Sequence, residues 1–564
     1  MAQQKLELTW YGKEKEIKVE SRLLIENPSL SYSKARGDLF DNSKFNNMLI
    51  HGDNLIALKS LEKDYTNKIK CIYIDPPYNT GSAFEHYDDN IEHSIWLNLM
   101  RERLRIMRNL ISENGFIAVH IDDSEGHYLK ILLDEVFGRD NYLTTFYVRV
   151  RYSKKTLKQD MVFHKEIEQV HLYRKKYGAI PNLQEEQIGF DKFNFYVSEI
   201  NQGKTISLGN KKVDVFQKGD YTIEKKVGSE NGRKEIWASG TILDGNSSGR
   251  FFRDYLGGRT EEDGLGVLYK VWGIGDDKFD YRYFTGPNKK DATKGKYYQG
   301  VPKGNIGTGS VMKKTAINNF YDFASSFGNC RQEGGVEFRS GKKPEILLEL
   351  ILKHFSSPGD IVLDSFLGSG TTIAVAHKMQ RRWIGIEMND QVYSHCKIRL
   401  DSIINNKDKT GISKTHNWNG GGGYKFYELA PSLIKLDEFG QEVINTDYNS
   451  DMLASAIALH EGYKYEPSQM QFWKQAHNGE SSYLFTTTKH IDRAYIDAIH
   501  AQMIEGEFLI ISCKSFESNI QHLYKSISIK KIPQSLLKNC EFGVDNYDLN
   551  IINPPVYEED DEDE

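Results

Sequence analysis

Four apolar or aromatic residues, Cys71-Ile72-Tyr73-Ile74, run straight into Asp75-Pro76-Pro77-Tyr78. The first four favour a buried parallel strand, because a strand covered on both faces needs a continuous apolar run. The prolines then end it: neither can donate to a ladder, and each drives the residue before it out of helical space. What remains is a stiff loop at a strand's carboxyl end, presenting one carboxylate, two prolyl carbonyls and an aromatic face. In open α/β sheets that edge is where ligands bind.

These groups suit the methylation of an exocyclic amino group on a nucleobase. Such a nitrogen is a poor nucleophile because its lone pair is delocalised into the ring. Acceptors aimed at both N–H groups, here Asp75 and the Pro76 carbonyl, favour a tetrahedral nitrogen with a directed lone pair. Pro77 stiffens the loop. Tyr78 offers a stacking face, and stacking can return about 1–3 kcal/mol of the cost of flipping a base out of the duplex. The competing reading is a plain strand-ending turn, so the assignment depends on a cofactor site elsewhere.

That site lies far downstream. Asp360-Ile361-Val362-Leu363-Asp364 reads as a strand, Ser365-Phe366-Leu367-Gly368-Ser369-Gly370-Thr371-Thr372 as a glycine turn, and Ile373 to Met379 as a helix. Gly368 and Gly370 let backbone N–H groups approach a ligand. Arg382-Trp383-Ile384-Gly385-Ile386-Glu387 is a second strand, ending in a carboxylate suited to ribose hydroxyls. The three-glycine pyrophosphate fingerprint and the lysine-containing phosphate loop are both absent.

In this order the motifs resemble the β-type amino-methylating DNA methyltransferases, most of all the modification subunits of type III restriction systems. The resemblance covers roughly residues 46–405 well and the remainder only loosely. It implies a Rossmann-like α/β fold with a mixed seven-stranded sheet, permuted motif order, an inserted target-recognition domain and a C-terminal α/β domain. It implies S-adenosylmethionine as cofactor and adenine N6 as target. Cytosine N4 is the alternative, since the family's N4 members more often carry Ser in place of Asp75. The absence of a Pro-Cys dipeptide removes the nucleophilic cysteine loop of cytosine-C5 enzymes. The catalytic set is then Asp75, Pro76, Pro77 and Tyr78. The cofactor set is Asp53, Asn79, Thr80, Lys342, Pro344, Asp364, Phe366, Gly368, Ser369, Gly370, Thr371, Thr372 and Glu387, with no metal. Double-stranded DNA is the expected partner. A separate restriction endonuclease or helicase subunit and a homodimer follow by analogy.

Composition agrees with a soluble enzyme of several domains. Five scattered cysteines with no Cys-x-x-Cys pair point to neither disulfides nor zinc. With no apolar run of membrane-spanning length and no signal peptide, a cytoplasmic, nucleoid-associated protein is expected. A net charge of −6 is unusual for a DNA-binding chain, but Glu558 to Glu564 are seven consecutive acids, and the body without them carries +1. The run reads as a solvated tail.

The chain divides into an N-terminal segment (1–45), a catalytic half (46–180), a target-recognition insert (181–335), a cofactor half (336–405), a C-terminal domain (406–557) and the acidic tail (558–564). Asn47 to Asp53 is the first strand, and Asp53 can cap the following helix as well as contact a cofactor's adenine. Ser94 to Ile111 is an amphipathic helix whose arginines, Arg101, Arg105 and Arg108, are expected in solvent. Asp122-Asp123 reads as structural. Arg149 to Lys176 holds nine basic residues against three acids among aromatics, and Tyr281 to Lys303 holds six against one. Such interleaving suits phosphate contact beside a displaced base, which nominates Arg149, Arg151, Lys154, Lys155, Arg282, Lys289, Lys290 and Lys294 for DNA. The insert is expected to be β-rich. Lys342-Lys343-Pro344 matches the family's Lys-Pro element, and Pro344 also suits an ordinary first helical turn. Asn417 to Gly423 reads as a linker. Asn553-Pro554-Pro555-Val556-Tyr557 imitates a second catalytic loop but lacks the stacking aromatic, and Ser512-Cys513-Lys514 lacks a nuclease carboxylate. Two rival functions remain: a non-catalytic specificity module for a partner endonuclease, and an RNA or protein methyltransferase.

Overall fold

The computed structural model describes residues 7–15, 17–34, 47–78, 89–153, 163–238, 247–290, 292, 294–308, 310–338, 341–537, 540–545 and 547. Its largest sheet has eleven strands. Seven form the expected core, in the order Met48–His51, Arg382–Glu387, Ile361–Asp364, Ile69–Ile74, Ile111–Ile121, Ile167–Arg174 and Tyr142–Arg149. Neighbours are parallel as far as Ile111–Ile121, while Ile167–Arg174 runs antiparallel to both strands beside it.

Side chains alternate across this sheet. On one face Ile72, Ile74, Ile117 and Val119 join a core filled by Leu58, Trp96, Met100, Leu104 and Leu132. These come from helices Asn54–Tyr65, Asp89–Leu110 and Gly126–Phe137. On the other face Phe116 meets Phe355 of helix Glu345–Phe355, ring centroids 5.2 Å apart. Each such fully buried side chain contributes about 1.5–3 kcal/mol. The helix expected from Ser94 begins earlier, at Asp89, with its predicted apolar stripe buried. Arg101 is not in solvent: it is buried and donates to the Lys15 carbonyl at 3.0 Å, whereas Arg105 and Arg108 are exposed.

The four outer strands lie where the sequence reading had none. Gly422–Leu429 adds parallel to Met48–His51, and Leu24–Glu26 and Tyr32–Lys34 pair antiparallel with it. The glycine run is therefore a strand start rather than a linker. A Cβ on Gly423 would stand 2.7 Å from Ser33, so glycine is what lets the N-terminal segment close on this edge. At the opposite edge Phe320–Asp322 pairs parallel to Tyr142–Arg149.

Residues 183–317 form a compact unit of their own. The insert thus ends before 320 rather than at 335, because the chain has by then rejoined the main sheet. The unit is β-rich as expected, with a six-stranded antiparallel sheet around Val213, Phe284 and Tyr297. Its hairpin between Lys204–Leu208 and Lys211–Phe216 turns through Gly209 and Asn210, both at positive φ, the backbone that two-residue hairpins require.

Beyond Leu429, helix Ser450–His460 packs on a five-stranded sheet whose last three strands, Ser482–Ile491, Phe508–Phe516 and Ile527–Lys531, are parallel. The Asn553 to Tyr557 sequence and the acidic tail lie outside the described residues. Among the described residues no helix is long and apolar enough to cross a membrane.

Candidate active site

Strands Ile69–Ile74 and Ile361–Asp364 lie side by side and parallel, with Ile72 opposite Leu363. Asp75 and Asp364, remote in sequence, therefore leave the sheet at one edge.

The Asp75 carboxylate is held at both oxygens. Oδ1 accepts the Tyr78 hydroxyl at 2.9 Å, and Oδ2 lies 3.1 Å from Lys343 Nζ. The same ammonium donates to the Tyr78 oxygen at 2.9 Å, stands 3.5 Å from Glu168 and sits 4.9 Å from the Tyr78 ring centroid. Glu168, on Ile167–Arg174, is 3.2 Å from the Tyr78 hydroxyl and 2.8 Å from His120 Nε2, while His120 Nδ1 meets the Tyr73 hydroxyl at 2.9 Å. Burial alone would raise the Glu168 carboxyl, but Lys343 and then His120 outweigh it and hold it well below the usual carboxylate range. Burial, with Asp75 and Glu168 alongside, pushes the Tyr78 phenol well above its ordinary value. Pro76 is buried, and the Pro77 carbonyl accepts the Trp96 indole at 2.9 Å, which anchors the loop to the helix behind it.

Downstream of Asp364 the chain turns back on itself, with the Phe366 N–H donating to Asp364 Oδ1 at 2.9 Å. Gly368 and Gly370 hold φ of +53° and +77°, and a Cβ on Gly370 would sit 3.3 Å from Cys396. Side chains are disfavoured at both positions. Gly368 N–H donates to Glu387 Oε2 at 2.7 Å, tying the turn to the second strand. Ser369, Thr371 and Thr372 are buried at the head of helix Thr371–Lys378. Burial raises the Asp364 carboxyl to about 7; Asp75 and Glu387 add to the rise, and bonds from Thr372 and the Phe366 N–H oppose it.

An acidic cluster of Asp75, Asp364 and Glu387 thus lines a glycine turn, and the space a Gly368 Cβ would enter is open. These acceptors fit a molecule with cationic centres and ribose hydroxyls, which describes S-adenosylmethionine. Asp53 is buried where the sequence put it. Its Oδ1 caps helix Asn54–Tyr65 through the Leu55 and Ile56 N–H groups, and its Oδ2 accepts the Tyr547 N–H at 3.0 Å.

Other nominated residues fall elsewhere. Lys342 spends its ammonium on the carbonyls of Arg331, Glu333 and Val336 at 3.0, 2.6 and 2.7 Å, away from the catalytic loop. The lysine that reaches the loop is its neighbour Lys343, next to Pro344, which precedes helix Glu345–Phe355. Arg149 is matched by Glu166 at 3.0 Å and Asp322 at 3.2 Å, and Arg151 donates to the Lys165 carbonyl at 3.4 Å. Arg282 is corrected from DNA contact to a structural role, since it is buried against the fully buried Asp277 at 3.1 Å. Lys289, Lys290 and Lys294 are exposed on the insert. Asn79, Thr80, Lys154 and Lys155 lie outside the described residues. Asp122 caps Ser124 at 2.9 Å, a structural role.

Sequence reasoning missed Lys343, Glu168 and His120. The Lys-Pro dipeptide is Lys343-Pro344, so reading the motif in its proper register would have pointed to Lys343 rather than Lys342. Glu168 is an acid inside a basic run on a predicted strand, and nothing in the sequence pairs it with His120.

The model of a family described as DNA methylase matches residues 69–397. Among curated relatives, one from Haemophilus influenzae named as a probable type III restriction-modification enzyme HindVI Mod subunit is 33% identical over 479 residues, covering 77% of this chain and 60% of that protein. The type III restriction-modification enzyme EcoPI Mod subunit of Escherichia phage P1 is 26% identical over 421 residues, covering 67% and 62%. The chain therefore spans about three-fifths of the length of these relatives. The solved PvuII DNA methyltransferase (cytosine-N4-specific) is 13% identical, covering 63% of this chain and 86% of that one with a TM-score of 0.33.

Proposed function

The chain belongs to the DNA methylase family, and from that premise we propose that it transfers a methyl group from S-adenosylmethionine to adenine N6 in duplex DNA. The observation that carries this reading is the meeting of Asp75 and Asp364 at the ends of adjacent parallel strands. When bound, S-adenosylmethionine supplies an electrophilic methyl group. Glu387 would accept from its ribose hydroxyls, and Asp364 would offer a carboxylate to a cationic centre. Asp75 and the Pro76 carbonyl accept from the two N–H groups of the flipped base, turning the nitrogen lone pair out of the ring. Tyr78 stacks on that base, and Trp96 keeps the loop from yielding as it does so. Lys289, Lys290 and Lys294 of the insert follow the phosphates.

The reading extends to a cytoplasmic modification subunit that works with a separate restriction endonuclease, as a homodimer. Relatives named as Mod subunits of type III restriction-modification enzymes support the modification-subunit part of it.

The test is single-molecule sequencing of genomic DNA from cells expressing the wild type or Asp75→Ala. N6-methyladenine at one motif in the wild type alone is the expected result. Absence of any modified motif in both, when purified protein also leaves labelled DNA unmethylated, would overturn the reading.

A further inference from the structure

Lys343 comes from the cofactor half of the chain, yet its ammonium lies among groups of the catalytic half. It is 3.1 Å from Asp75, 3.5 Å from Glu168 and 2.9 Å from the Tyr78 oxygen, and only 8% of its side chain is exposed. A lysine buried to that degree is costly unless it is paired, and two carboxylates without a cation would repel. On the reading above, we propose that Lys343 is a positioning residue for methyl transfer: by bridging Asp75 and Glu168 it fixes which Asp75 oxygen an incoming base meets.

The geometry makes the choice. Lys343 occupies Asp75 Oδ2, so the base is offered Oδ1. Oδ1 accepts the Tyr78 hydroxyl at 2.9 Å. A hydroxyl carries one proton and serves one acceptor at a time. Glu168 Oε2 stands 3.2 Å from the same oxygen. Turning the Tyr78 O–H from Asp75 toward Glu168 unmasks Oδ1 by rotation about one C–O bond, without displacing the ring needed for stacking. Lys343 donates to the Tyr78 oxygen in either position and keeps it in place. His120 and, through it, Tyr73 hold Glu168 from behind, and Asp364 also interacts electrostatically with Asp75. The arrangement joins the two separated chain segments electrostatically at the reacting atoms.

The test is the pH dependence of methyl incorporation by the full-length protein, which a purely structural lysine would not move. Lys343→Met removes the cation that Asp75 and Glu168 share, so one of them takes up a proton at higher pH. The acid limb of the profile is expected to rise by about one to three pH units, and Lys343→Arg is expected to restore it. The double variant Lys343→Met/Glu168→Gln balances the lost charge and keeps the proposal falsifiable if the single variant does not fold. Its limb should fall between those of the wild type and the single variant. A wild-type limb in whichever methionine variant folds would overturn the proposal. Failure of the wild type to methylate DNA would instead refute the function itself, before Lys343 is tested.

Discussion

The Arg399 guanidinium and the Glu345 carboxylate, both entirely buried, meet at 2.7 Å. Glu345 also takes Lys378 at 2.8 Å, Lys378 pairs with Asp408 at 2.6 Å, and Arg399 reaches back to the Thr371 hydroxyl at 2.9 Å. The residue two places after Lys343 thus anchors the cofactor turn from below, while Lys343 anchors the catalytic loop from the side. Removing one partner of a buried pair strands the others. Glu345→Ala is expected to cost about 3–5 kcal/mol, read as a shift in the denaturant midpoint; a loss near zero would mean that the network contributes only shape.

On the proposed reading Asp75 carries the acceptor for the base amino group, and Glu168 remains within 3.5 Å of Lys343 when Asp75 is removed. Asp75→Ala should lower methyl incorporation by at least about a hundredfold, the scale of losing one aligned polar group in an active site. DNA binding by mobility shift should be largely kept. Near-normal turnover in this variant would refute the assignment.

Asp364 ties cofactor affinity to pH. Burial lifts its carboxyl to about 7, so near neutrality it is partly protonated, and a cationic ligand favours the carboxylate. Binding should release a proton, and affinity should climb as pH rises through about 7, by roughly tenfold between pH 6 and pH 8. Calorimetry in buffers of different ionisation enthalpy measures both, and Asp364→Asn should flatten the dependence. For stability the sign is opposite. An acid raised in the folded state stabilises fully below its ordinary value of 3.8, and that contribution disappears as pH rises through about 7.

Lys289, Lys290 and Lys294 are exposed on the insert, whereas Arg282 is locked to Asp277. Replacing the three lysines by alanine should reduce the slope of log affinity against log salt by about 0.9 for each phosphate no longer neutralised. An unchanged slope would remove this segment from the interface. Arg282→Ala should instead destabilise the insert, leaving Asp277 buried without its cation.

Much of the site was legible because its parts are local: Asp75 to Tyr78 and Asp364 to Thr372 are contiguous, each built on an apolar strand followed by proline or glycine. The resemblance also gave the mixed seven-stranded sheet, though not the order of its strands. What could not be read was pairing across distance. Lys343, Glu168 and His120 come from three elements and meet only once the sheet has formed. Arg282 looked free in a basic run, but strand alternation turned it inward toward Asp277. Gly420 to Gly423 looked like a linker because glycine signals flexibility in sequence, whereas here it permits close approach to Ser33.

The pairing of Gly422–Leu429 with Met48–His51 on one side and Leu24–Glu26 on the other means that this domain cannot be trimmed to its motifs. A fragment spanning residues 46–405 would keep every reacting group and yet expose the backbone of Met48–His51 as an open edge, ready to recruit a strand from another molecule. Shortened expression fragments should therefore keep both flanking segments. A chain truncated at either end would be prone to self-association before it lost any chemistry.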